Sequence, residues 1–224
     1  MLANLRTGWN NRKGSGAVDL VIVIATIILA FVVLGLPVIS RPVSRSPRIS
    51  CVSNLKQAAL AARIWSNDHG DMFPWAAPMS TNGVKELAMS GNVAALFLSM
   101  SNEIASPKVL TCPADSARKR EVDFSKLRNK NISYFVGLDA DEAQPRSVLF
   151  GDRNILGGVM GSNRVIMVSA TNVMTWGSDI HRNAGNIALG DGSAQQVSGK
   201  GLQNQFQSQF QAVAAANWAR FALP

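Results

Sequence analysis

The chain is poor in the residues that most often mark chemistry. It has two cysteines, two histidines and one tyrosine in 224 residues, and only 16% of its residues are charged. Cys51 and Cys112 are too few for a disulfide-dense scaffold or a zinc site built from cysteine alone. His69 and His181 are too few for a histidine-rich metal centre. No G-x-S-x-G, P-loop or H-E-x-x-H pattern occurs, and there is no fixed-period repeat or long low-complexity tract. A Cys–His nucleophile pair is the hydrolytic arrangement the composition still allows, and nothing in the sequence marks an oxyanion hole for it. The expectation is a protein that is not an enzyme.

Hydrophobic residues make up 47%, too many for a disordered chain, while a mean hydropathy of +0.09 is far too low for a polytopic membrane protein. The net charge of +8 is unevenly placed. Six bases (Arg6, Arg12, Lys13, Arg41, Arg45, Arg48) face one acid, Asp19, within residues 1–50, which therefore hold +5 of it. The rest is nearly balanced. A basic stretch at 118–130 is interrupted by Glu121 and Asp123 and has Phe124 as its lone aromatic, so it reads as a solvated loop. No nucleic-acid partner is expected.

Residues Leu20 to Ile39 carry no charge. A helix of that length spans about 30 Å, one bilayer core. The run predicts a single transmembrane helix over 15–40, followed by a proline- and arginine-rich linker over 41–50 and a domain over 51–224. A second helix is predicted from Val52 to Asn67, where Val52, Leu55, Ala59, Ala62 and Trp65 recur at helical spacing. A short helix is predicted near Asn92–Met100. Short strands follow at Ser133–Val136, Val148–Phe150, Arg164–Ser169, Met174–Trp176, Asn186–Leu189 and Ser193–Val197. Gly190-Asp191-Gly192 marks a tight turn between the last two. A final helix is predicted from Leu202 to Phe221.

Two sets of residues carry a resemblance. Arg12-Lys13-Gly14, then Ser15 to Asp19, then the apolar run resemble a type IV prepilin leader, which is cut after glycine and carries an acid at the fifth mature position. Gly14 and Ser15 then flank the cleavage site, residues 1–14 are the leader, and Asp19 is the assembly acid, in a place where the family usually has glutamate. Further on, His181 is followed by nine residues and then Asp191-Gly192. With Cys51 to Gln57, Arg63 to Pro74, Leu110 to Asp115 and Ser133 to Gly137, this resembles the processing-associated H-x9-DG domain of prepilin-type proteins.

The resemblance is similar in layout to the pseudopilins of type II secretion. It implies an α+β, pilin-like fold, with an N-terminal transmembrane helix leading to a helix packed on a small antiparallel sheet. It implies a structural subunit of a secretion or pilus-like machine, single-pass in a bacterial inner membrane with its C-terminal domain periplasmic. Its partners would be a prepilin peptidase and other pseudopilin subunits. An uncleaved, anchored binding module is the alternative. His181, Asp191 and Gly192 are expected to serve architecture, with Asp191 bonding its own turn. Some pseudopilins bind calcium, but here Asp179 and Asp191 alone fall short of the six to eight oxygens it needs, and no cofactor is expected. An extracytoplasmic domain could bridge Cys51 to Cys112.

Overall fold

The computed structural model describes residues 16–39, 47–212 and 218–224, with side chains over 16–30, 47–211 and 218–224. It divides into two units, Met1–Ser44 and Arg45–Pro224. The leader, the cleavage residues Gly14 and Ser15, and linker residues 41–46 lie outside the described residues.

The first unit contains helix α1 (Gly16–Ile39), with Asp19 in its first turn. Among the described residues no helix is long and apolar enough to cross a membrane. The expected transmembrane helix, and with it the single-pass inner-membrane location, is therefore corrected.

The second unit opens with α2 (Pro47–Asp68). It starts five residues before the predicted helix and takes in the end of the expected linker. Proline is tolerated in the first turn because its missing N–H would have no partner there. One face of α2 buries Cys51, Leu55, Ala58, Ala59, Ala62 and Trp65. The small helix α3 (Val93–Leu98) starts where Asn92 Oδ1 accepts the Ala95 N–H.

Among the described residues nine short strands follow, with α4 (Gly199–Ala212) between the eighth and ninth. They are β1 (Tyr134–Gly137), β2 (Val148–Asp152), β3 (Ile155–Leu156), β4 (Val159–Met160), β5 (Val165–Ser169), β6 (Thr175–Trp176), β7 (Ala184–Leu189), β8 (Ala194–Ser198) and β9 (Trp218–Ala222). Seven form one sheet in the order β4-β5-β9-β1-β2-β7-β8, and β3 pairs separately with β6. All the pairings are antiparallel. The expected pilin-like layout with a small sheet is corrected to an α+β domain built on a large, seven-stranded one.

Both faces of that sheet are covered. One core joins Leu55, Ala62, Trp65, Phe97 and the ring of Trp75 to Tyr134, Val136 and Phe150. The other joins Leu202 and Phe206 of α4 to Phe135, Val148, Ile187 and Phe221. Strands covered on both faces lose the in–out alternation of a half-exposed sheet, and every residue of β1 and β2 is buried. The C-terminal end of the predicted last helix is in fact β9. There Ala219 and Phe221 face the α4 core while Trp218 and Arg220 are exposed, a period of two rather than 3.6.

Candidate functional site

The most concentrated chemistry lies where β2 ends against β7. Asp152, the last residue of β2, is fully buried. Its Oδ2 accepts from the backbone N–H of Asn186 at 2.8 Å and from Asn186 Nδ2 at 2.9 Å. The same amide nitrogen lies 3.0 Å from His181 Nε2. An amide nitrogen only donates, so with this amide orientation Nε2 accepts on its lone pair and the ring proton sits on Nδ1. His181 Nε2 is also 3.5 Å from Asp152 Oδ2 and 3.4 Å from Cys112 Sγ. Cys112 is joined to Cys51 of α2 by a disulfide.

The loop that delivers His181 is held in an unusual conformation. His181, Arg182 and Asn183 have φ of 56°, 52° and 60°, three successive left-handed residues without a glycine. Each such residue costs on the order of 1 kcal/mol or more. Asn154 restrains the loop: its Nδ2 reaches the carbonyls of Gly177 at 2.8 Å, Ile180 at 2.9 Å and Ala184 at 3.3 Å. Beside it, Arg153 grips Asp115 with two bonds of 2.7 and 2.8 Å, which ties the segment after Cys112 to the end of β2.

Burial dominates the electrostatics. It pushes the Asp152 carboxyl up to about 7, against the lowering pull of its Asn186 bonds and of Arg48, and with a further raising effect from Asp115. Burial, and then the Arg48 cation, lower the His181 imidazole. Both effects favour the uncharged forms. Between the lowered imidazole value and about pH 7 the 3.5 Å approach of the two side chains is thus a neutral contact, although its geometry resembles an ion pair. Several atoms here are buried without a hydrogen-bond partner: Asp152 Oδ1, Asn186 Oδ1, Ser133 Oγ, Tyr134 Oη and Arg48 Nε. Such orphans each cost about 1–3 kcal/mol and call for an explanation.

The other half of the H-x9-DG pattern is elsewhere. His181 precedes β7 and Asp191-Gly192 follows it, so the nine residues span one strand and its turn, about 20 Å end to end. Asp191 Oδ1 accepts from the Ser193 N–H at 2.8 Å, closing its own turn. Gly192 has φ +81°, and a Cβ there would lie 3.1 Å from Arg63 Cδ. Arg63 of α2 donates to the Asp191 carbonyl at 2.6 Å and pairs with Glu142 at 2.9 Å, which fastens the hairpin to the helix. Asp179 and Asp191 are both exposed and stand at opposite ends of β7, so the weak calcium pair is not brought together.

Among the described residues, one group of three metal-ligand side chains converges: Cys51, Cys112 and His181, with ligand atoms within 4.8 Å of one another. The paper possibility of a Cys–His nucleophile has its geometry in Cys112 and His181, but a sulfur held in a disulfide is not a thiolate.

Sequence reasoning missed Asp152, Asn186, Asn154 and Arg48. Asp152 and Asn186 lie 34 residues apart, and each looked like a polar residue bounding a strand. A signal was present for Asp152, since an acid directly after the apolar Val148-Leu149-Phe150-Gly151 run has little room to reach solvent. Compared with known proteins, the chain matches no family model, no curated protein and no solved structure.

Proposed function

We propose that the chain is a non-enzymatic, pseudopilin-like structural subunit of a type II secretion or type IV pilus-like system. A prepilin peptidase and other pseudopilin subunits are its partners. The observation that carries this reading is how the residues of the resemblance are used. Asp191 closes its own turn, Gly192 supplies the left-handed backbone under Arg63, and Cys51 and Cys112 tie α2 to the segment before β1. His181 contacts buried groups and its side chain is only 3% exposed. All of these serve to hold one rigid surface in shape, as a subunit that works through protein–protein contacts requires.

The test is N-terminal sequencing after co-expression with a prepilin peptidase. The processed chain begins at Ser15, and Gly14→Val leaves it uncut. A chain that still begins at Met1 in the presence of an active peptidase overturns the reading. Cross-linking with the other pseudopilins of the same system then reports assembly, and Asp19→Ala weakens it.

A further inference from the structure

The orphaned atoms and the convergent side chains lie at the same place, beside the disulfide. We propose that, once the Cys51–Cys112 disulfide is reduced, Cys51, Cys112, His181 and Asp152 bind one zinc ion.

The distances fit. Zinc bonds sulfur at about 2.3 Å and nitrogen or oxygen at about 2.0–2.2 Å, so the edges of a tetrahedral site are about 3.3–3.8 Å. Cys112 Sγ to His181 Nε2 is 3.4 Å and His181 Nε2 to Asp152 Oδ2 is 3.5 Å. The cysteine–histidine edge therefore already exists in the oxidised protein, and the Asp152 carboxylate lies beside the same imidazole nitrogen. Cys51 Sγ is within 4.8 Å of the imidazole nitrogen. Cys51, Cys112 and His181 are the mutually close set; on metal binding the sulfur–sulfur edge opens to about 3.8 Å once the covalent bond is gone, and the Asp152 carboxylate, which stands outside that set, moves toward the sulfurs as the fourth ligand.

The chemistry of the donors fits as well. The Asn186 amide donates to His181 Nε2 and so keeps the ring proton on Nδ1, the tautomer whose Nε2 ligates metal; zinc takes that lone pair over from Asn186, whose amide keeps its bond to Asp152. Asp152 Oδ1 is a buried oxygen without a partner. Two thiolates and a carboxylate around a divalent ion leave one negative charge. Arg48 sets a cation against it: its Nη2 donates to Gly185 O at 3.2 Å, and its Nε is buried and unpaired. Asn186 and Arg48 supply the outer support that orients ligands in metal sites.

The redox step balances with a dithiol as reductant. The S–S bond breaks, two electrons and two protons pass to the sulfurs, and the dithiol closes to its own disulfide. Zinc then displaces both thiol protons to solvent. The bridge and the metal are alternatives, so the same residues staple α2 to the domain in oxidising and in reducing surroundings.

The experiment uses the full chain reduced with a phosphine, which is oxidised to its oxide with oxygen from water. Cobalt(II) is the spectroscopic probe and is then displaced by zinc. The expected result is one cobalt per chain, with the intense visible bands of a tetrahedral site and a sulfur-to-metal charge-transfer band. The oxidised chain binds none. Cys51→Ser/Cys112→Ser abolishes the charge-transfer band. His181→Asn, which keeps a residue tolerant of positive φ, weakens zinc at least tenfold, and Asp152→Asn does the same. Circular dichroism follows folding in every sample. A reduced chain that binds no stoichiometric cobalt overturns the proposal, as do His181 and Asp152 variants that bind as tightly as the parent. A reduced chain that unfolds and does not refold with zinc also overturns it, because such a site contributes folding energy directly.

Discussion

Replacing Asp152 by asparagine should make the oxidised, metal-free protein more stable, and by an amount that depends on pH. Asp152 is fully buried and its carboxyl is raised from 3.8 to about 7 by burial. The folded protein then holds a proton that the unfolded chain has already released. Stability is present in full below the unfolded value and is lost as pH rises through the folded one. A tenfold change in proton affinity corresponds to about 1.4 kcal/mol, so the wild type loses about 2.5 kcal/mol between pH 5 and pH 8 from this group alone.

Asparagine accepts the same two Asn186 bonds through its oxygen and carries no titrating proton. The stability difference between variant and wild type should therefore grow by about 2.5 kcal/mol from pH 5 to pH 8. The groups that act on Asp152 are common to both proteins: Arg48 on α2, Asp115 in the loop after Cys112, and His181 before β7. His181 works in the opposite direction. Its lowered value withdraws stability as pH falls below 6.5, equally in both chains to first order. Urea unfolding of both proteins at pH 5, 6, 7 and 8 measures the difference. A difference that stays flat across that range, or shrinks, refutes the argument from burial.

Three further substitutions probe the frame around the site. Arg153→Met leaves the Asp115 carboxylate, whose side chain is 1% exposed, without its partner and should cost about 3–5 kcal/mol in chemical denaturation; adding Asp115→Leu should recover most of it. Cys51→Ser/Cys112→Ser opens a loop of 61 residues and should lower stability by about 4 kcal/mol under oxidising conditions, and an unchanged urea midpoint would count against the bridge. Gly192→Ala places a Cβ at φ +81° and 3.1 Å from Arg63 Cδ, so a loss of about 1–2 kcal/mol is expected by thermal unfolding, mostly from the backbone because the arginine can move.

Most of the strands were legible because their ends are written locally. Gly190-Asp191-Gly192 announces its turn by composition, and the Val148 and Arg164 runs are apolar between turn residues. The predicted helices at 52–67 and 92–100 match α2 and α3 to within a few residues. The last strand was not legible: Trp218 and Phe221 fit a helical stripe as well as a strand, and pairing with β1 and β5 decided between them. The apolar run at 20–39 satisfied a length rule, but the described helix does not meet the requirement for crossing a membrane.

What the sequence determined alone was the local vocabulary: helix faces, strand ends, the hairpin turn and the scarcity of chemical side chains. Only the tertiary structure decided how that small stock is combined. Closing a seven-stranded sheet between α2 and α4 removed water from both faces and buried the end of β2. It set Asp152 beside Asn186, His181 and a disulfide drawn from positions 51 and 112. No periodicity within a segment encodes such a meeting, because burial and proximity belong to the packed sheet and not to the residues that form it.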